Sequence, residues 1–287
     1  MKTTMIFAVL LSTANFAAAQ TQPSADATVP VTVDNFVRAE SDLYFSAVVV
    51  KDGAFGKFHH NRELSPLDDQ KVIRQNRDTM YSVAVFDLDA GPVTITLPNA
   101  GKRFMSMQVI TEDQYTPPAI YVPGPHILTR QKVGTRYVLV AIRTLVNPSD
   151  QEDVKTVHAL QDAVKVSQNG GPGRFEVPKW DPASEKKVRE ALLVLASTVK
   201  DTSRAFGLKG EVDPVQRLIG AASAWGANPP KDATYLNVVP TKNDGTTVYK
   251  MKVDHVPVDG FWSVSVYNAD GFFQAVSRLK RNGGFNV

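Results

Sequence analysis

The stretch Asn76-Arg77-Asp78-Thr79-Met80-Tyr81 sets an amide, a guanidinium and a carboxylate directly before a β-branched, apolar run that ends at Leu88. With Arg74 just upstream, these groups can build an ion-pair network at a strand entrance. The Tyr81 phenol, two residues into the run, can meet a ligand there. Side chains alternate along a strand, so Thr79 and Tyr81 share one face while Met80 and Ser82 share the other. In the run 103–111 the same rule puts Phe104, Ser106 and Gln108 together, with Met105 and Met107 opposite. If Tyr81 and Gln108 face one cavity, then Arg77, Asp78, Tyr81 and Gln108 can orient a small polar ligand inside an apolar lining. The competing reading is an Asp–Arg pair that ties down a loop, with Tyr81 as ordinary core. The residue types alone leave both open.

Other chemistries find less support. The five histidines (59, 60, 126, 158 and 255) include no i, i+4 pair, and the adjacent His59 and His60 point to opposite sides of an extended chain. No metal or cofactor is expected. There is no Gly-x-Ser-x-Gly elbow. Ser-x-x-Lys occurs three times, as Ser184/Lys187, Ser197/Lys200 and Ser277/Lys280, twice on a predicted solvent-facing helix and once in the tail, which is the pattern of chance. No phosphate loop is present, and the cluster Gly170-Gly171-Pro172-Gly173 follows no strand, so a dinucleotide site is not indicated. Trp225, Trp262 and Tyr267 read as core.

The elements that would position these residues follow from periodicity. A helix is expected from Thr32, with Phe36, Glu40, Leu43 and Ala47 on one stripe and Thr32 or Asp34 as cap. A long connection, 53–69, leads to short β-branched runs at 79–88, 93–97, 103–111 and 136–144, punctuated by turns at 89–92 and 98–101. Their spacing predicts an antiparallel meander in a β-sandwich-like domain. A helical middle follows. Ser149 or Asp150 caps a helix carrying Val154, Val157, Leu160 and Val164, and Asp181-Pro182 opens a helix running to Phe206. Asp213-Pro214 opens a third, which stops at Gly226. The chain then returns to β, with runs at 234–239, 246–253 and 261–267.

Composition bounds the setting. Lys2, the apolar run 5–14 and Ala17-Ala18-Ala19 have the form of a secretory signal peptide, too short to span a bilayer and cleaved near Ala19. A periplasmic or secreted location follows, with no membrane span expected later. The chain has no cysteine, so it carries no disulfide framework. Setting aside the signal's Lys2 and the tail's Arg278, Lys280 and Arg281 turns the formal charge of +3 into −1, which removes the electrostatic case for nucleic acid.

Several motifs, in order, resemble the bacterial family known as domain of unknown function 1254. They are Asn-Arg-Asp-Thr-Met-Tyr-Ser at 76–82, Leu-Asp-Ala-Gly-Pro-Val at 88–93, Lys-Arg-Phe-Met-Ser-Met-Gln at 102–108 and Gly-Thr-Arg-Tyr-Val-Leu-Val at 134–140. The run 258–268, with Asp270-Gly271-Phe272-Phe273, resembles its companion, domain of unknown function 1214. The resemblance spans about residues 30–273. It implies two β-rich domains, the second of jelly-roll type, in an exported protein, and no established reaction. Because the family's usual continuation after 273 is missing, a truncated member is expected.

The expected architecture is therefore mainly β with a helical insert. A signal peptide (1–19) and a flexible leader (20–31) precede a β-rich domain (32–147), a helical segment (148–229) and an incomplete jelly roll (230–287). The expected function is binding of a small organic molecule or cofactor-free hydrolysis of an ester-like substrate. A non-catalytic interaction module, including a homo-oligomer, and a non-functional truncated member are the alternatives.

Overall fold

In the computed structural model the chain is described over residues 28–64, 66–68, 70, 76–242, 244, 246–268 and 270–273. The signal peptide, most of the leader, Arg74 and the Ser277/Lys280 pair lie outside these residues.

The first helix, α1, spans Phe36–Lys51. Neither expected cap is used. Asn35 precedes it, and its amide is spent on the turn before, accepting from the Thr32 amide and donating to the Pro30 carbonyl. The strands follow: β1 His59–His60, β2 Thr79–Asp87, β3 Val93–Leu97, β4 Met105–Thr111, β5 Gly124–Leu128, β6 Tyr137–Leu145 and β7 Lys165–Ser167. A single helical turn, α2, occupies Arg130–Val133. The later helices are α3 Gln151–Asp162, α4 Pro182–Ala196 and α5 Pro214–Ala224.

Two antiparallel sheets result, ordered β1-β2-β6-β4 and β5-β3-β7. The expected meander is corrected here: consecutive strands β2 and β3 lie in different sheets, and β2 pairs along its whole length with β6. The reason is burial. Alternate residues of β2, β4 and β6 (Ala84, Phe86, Met107, Val109, Val140 and Ile142) need a second apolar layer. Val93 and Ile95 of β3 and Leu128 of β5 supply it across the sandwich.

The opposite face of the four-stranded sheet is covered in part by helix. Phe45 of α1 and Trp225, just after α5, pack on Val85, Leu139, Ala141 and Ile110. Phe36, Val37 and Ala39 of α1 join Leu192 of α4 and Ile219 of α5 in a separate helical core. Aspartate caps place the later helices as the sequence indicates. Asp150 accepts from the amides of Glu152 and Asp153, Asp181 from Ser184, and Asp213 from Val215 and Gln216. α4 nevertheless stops ten residues short of Phe206. Ser197 and Thr198 turn their hydroxyls back onto the carbonyls of Val194 and Leu195, a local bond that competes with the helix.

The three expected C-terminal strands do not form among the described residues, which carry an isolated bridge between Tyr267 and Phe273 instead. Alternation prepares a strand, but a ladder needs a neighbour. Leu236 and Val248 remain 88% and 94% exposed, so no partner layer covers that pattern.

Candidate functional site

The site is built on the helix-free part of the outer face of the four-stranded sheet. Register places Tyr81 of β2 opposite Arg143 of β6, and Arg143 opposite Ser106 of β4. Directly opposed residues point to the same side, so Tyr81, Arg143 and Ser106 form one row. The next row is His59, Val83, Ala141 and Gln108, and the helical cover begins at its Val83 and Ala141.

The loop before β2 is organised by Asn76. Its Oδ1 accepts from the Asp78 amide at 2.7 Å, an Asx turn, while its Nδ2 donates to Thr79 Oγ1 at 3.2 Å and reaches the Tyr81 phenol at 3.5 Å. Asp78 Oδ2 accepts from the Ser263 hydroxyl at 2.6 Å, tying this loop to the C-terminal segment. The Arg77 guanidinium lies 5.9 Å from the centre of the Phe273 ring in that same segment. Asp78 thus has Ser263 as a partner, and Tyr81 is half-buried on the outer face. Gln108 is placed otherwise. It is buried, and its Nε2 donates to the Gly226 carbonyl at 2.8 Å, pinning the end of α5 to the sheet. The four expected residues therefore share one face or its rim. Arg77, Asp78 and Tyr81 stand at one end, and Gln108 lies two strands away at the border of the helical cover, roughly 10 Å across at normal strand spacing.

Sequence reasoning did not single out Arg143. It is 6% exposed, and its Nε donates to Ser106 Oγ at 3.3 Å. Its guanidinium carbon stands 5.6 Å from the centre of the Phe104 ring. Phe104 is itself held edge-on by Tyr121 and by Phe261, at 5.9 and 5.0 Å between ring centres. Gly260 lies so close that a Cβ there would come within 2.9 Å of the Phe104 ring. Tyr121 donates to Asp232 Oδ1 at 2.9 Å. Burial, that hydrogen bond and the Asp232 charge push its phenol up to about 12, so it stays protonated. Tyr235 stands within electrostatic reach of Arg143, Tyr81 and Tyr267. The legible signal was one basic residue inside the otherwise apolar run Val-Leu-Val-Ala-Ile-Arg-Thr-Leu of β6.

A second polar cluster lies under α1. Arg189 clamps Glu40 and reaches Glu185 at 3.2 Å, and Arg38 bridges to Glu112 and Asp113. Asp42 is buried, with Oδ2 accepting from the Trp180 indole and Oδ1 without a hydrogen-bond partner among the described residues. Burial pushes the Asp42 carboxyl up to about 7, against the Trp180 hydrogen bond and with the help of nearby Glu112. Glu112 also accepts from the Tyr137 amide, so this cluster fastens α1 and the start of β6 together. Of the Ser-x-x-Lys serines, Ser184 serves α4, accepting from the Val31 amide and donating to the Asp181 carbonyl, and Ser197 ends it.

Two surface depressions, of about 50 and 420 Å³, lie beside the row: Tyr121 and Met105 are among the residues lining the first, and Arg103 and Asp153 line the second. In the row itself Ser106 is fully buried and Arg143 is buried, while Tyr81, Phe104 and Phe261 are half-buried, with the C-terminal segment as their border.

The family model of a protein of unknown function (DUF1254) matches residues 55–132, which include the Asn76–Tyr81 loop and β2 to β5 but not Arg143 or Ser263. No curated protein matches the chain. The crystal structure of the VPA0106 protein from Vibrio parahaemolyticus is similar in fold, with a TM-score of 0.54 and 15% identity over 69% of this chain and 67% of that one.

Proposed function

We propose that the chain is an exported protein that binds a small organic molecule on the outer face of its four-stranded sheet, between Tyr81, Arg143, Ser106 and Phe104. The observation that carries this reading is the composition of that patch. A polar row crosses three strands and is walled by the aromatic rings of Phe104, Tyr121 and Phe261, the mixture of few polar groups and apolar walls that small-molecule sites use. Within the reading, Asp78 fastens the C-terminal border of the site and Gln108 fastens its helical border.

Binding is favoured over turnover. Ser106 is the one hydroxyl nucleophile in the row besides Tyr81, and His59, which shares this face, lies three strands from it. That separation is roughly 14 Å, beyond the reach of a base. Ester hydrolysis stays attached to the reading as its catalytic form. Export rests on the signal-like segment at 1–19, and mass spectrometry of the periplasmic protein should find a start near Gln20. The similarity of 258–273 to domain of unknown function 1214 belongs to the same proposal.

The test is a thermal-shift screen of the mature chain against small organic molecules, with Tyr81→Phe and Phe104→Ala in parallel. A hit whose shift is lost in both variants, while their own circular dichroism melts stay near wild type, supports the site. Hits indifferent to both variants, or none from a broad library, overturn it. A second reading, an interaction module, is favoured by one observation: the segment 234–266 exposes Leu236, Val239 and Val248 to between 79% and 94%. A size measurement showing a concentration-dependent dimer would favour it.

A further inference from the structure

We propose that Arg143 is the anchor for a carboxylate, so that the ligand of this site is an organic monocarboxylate with an apolar or aromatic body. This rests on the binding reading given above and narrows it to a chemical class.

Five other arginines are paired with carboxylates. Arg103 meets Asp153, Arg136 meets Asp87, Arg189 meets Glu40, Arg38 meets Glu112 and Asp113, and Arg62 meets Asp162. Their side chains are 20–38% exposed, and each has a carboxylate. Among the described residues Arg143 is the one arginine in the buried set, and no carboxylate of a described residue makes an ion pair with it. Desolvating a guanidinium without a counter-charge is unfavourable. Every better-solvated arginine named above has a carboxylate that Arg143 lacks.

The geometry of the fork shows where an anion would go. Of the five N–H groups, the one on Nε is used on Ser106. The four on Nη1 and Nη2 make no hydrogen bond to any described residue, yet neither nitrogen is sealed from solvent. The ring of Phe104 lies against the guanidinium, and Phe261 and Tyr121 hold that ring in turn. A fixed, planar guanidinium whose Nη donors are unspent on described residues is the shape that a carboxylate fills with two parallel hydrogen bonds.

The surroundings select among anions. Arg143 is the single cation in its row, flanked by Tyr81 and Ser106 and walled by aromatic rings. A phosphate monoester carries close to two negative charges at neutral pH and would leave one uncompensated here. A carboxylate carries one. The phenyl rings of Phe104 and Phe261 suit an apolar body on the same molecule, and the Tyr81 phenol is placed to hydrogen-bond its polar end.

The test uses titration calorimetry on the mature chain at pH 7 with four probes: benzoate, cyclohexanecarboxylate, the neutral isostere benzamide, and inorganic phosphate. The proposal expects both carboxylates to bind, benzamide at least tenfold more weakly, and phosphate more weakly than either carboxylate. In Arg143→Gln and Arg143→Lys, the preference for benzoate over benzamide should fall to within about twofold for Gln and be only partly kept by Lys. The comparison of benzoate with benzamide needs only the wild-type chain, so a variant that fails to fold leaves the test standing. If benzamide binds as well as benzoate, and Tyr81→Phe or Phe104→Ala still weakens both, the site survives and the carboxylate assignment falls. If phosphate is preferred, the anion class is wrong. If none of the four probes binds and a broad library also gives no shift, the binding reading itself falls with it.

Discussion

Ser263 donates its hydroxyl to Asp78 Oδ2 at 2.6 Å, joining two residues 185 positions apart. Through this bond the loop that opens β2 and the C-terminal segment border the same patch. Phe261 two residues earlier packs on Phe104, and Arg77 lies over Phe273, so the whole contact runs along one rim of the sheet.

If that contact holds the segment in place, Asp78→Ala and Ser263→Ala should each loosen it. Limited proteolysis is expected to cut within 234–273 several-fold faster in either variant, while a fragment containing β1 to β7 and the helices survives. Equal digestion of variants and wild type would show that the tether contributes nothing.

Gly260 tests the same border from the packing side. An added methyl would come within 2.9 Å of the Phe104 ring, closer than carbon atoms sit at rest. Gly260→Ala should therefore push the segment off Phe104. A red shift of tryptophan emission from Trp262, compared against a Trp262→Phe background, is the expected readout.

Asp42 predicts an unusual pH dependence. Its carboxyl is pushed up to about 7 in the folded chain from an ordinary 3.8, first by burial. The folded state then holds a proton that the unfolded state has lost, so between about pH 4 and 7 this group makes the protein more stable as pH falls. His60 acts oppositely, because burial and then Arg62 hold its ring below the usual histidine value and acidification must charge it. Asp42→Asn separates the two. It imitates the protonated acid and can keep the Trp180 bond, so it should raise the melting temperature at pH 8 by several degrees and remove this part of the slope. An unchanged difference between variant and wild type across pH 5–8 would refute the assignment.

Asp87 should behave in the ordinary sense. Burial alone would push it up, but hydrogen bonds from Arg136, the Arg174 amide and the Asp89 amide outweigh that and hold it low. Its stabilisation is present above pH 4 and is lost as pH falls below. Asp87→Ala leaves Arg136 without its most buried partner and should cost about 3 kcal/mol in urea unfolding. Gly173→Ala should act through the same point, since a Cβ there would come within 2.6 Å of the Asp87 carboxylate, on a backbone with φ of +75°.

Trp225 joins the helices to the sheet: it stacks on Tyr44 at 4.3 Å, meets Phe45 edge-on and donates to Ser41 Oγ at 3.1 Å. Trp225→Ala should cost about 3 kcal/mol by chemical denaturation.

By itself the sequence determined the local elements whose causes are local. The runs of β2, β3, β4 and β6 and the aspartate caps of α3, α4 and α5 were legible because alternation and capping are decided by neighbours in the chain. It also determined that Tyr81 shares a face with Thr79, and Ser106 with Gln108. The short strands β1, β5 and β7 were not legible, since two to five residues carry too little pattern and form through the long-range pairing of β1 with β2 and of β5 and β7 with β3. The C-terminal runs had the pattern of strands and no ladder, because a strand also needs a partner. What only the tertiary structure decided is the site itself. Register brought Arg143 between Tyr81 and Ser106, from 62 positions away in one direction and 37 in the other, and packing buried its guanidinium without a carboxylate. Charge, burial and an absent partner are properties of a place in space, and no spacing along the chain encodes them.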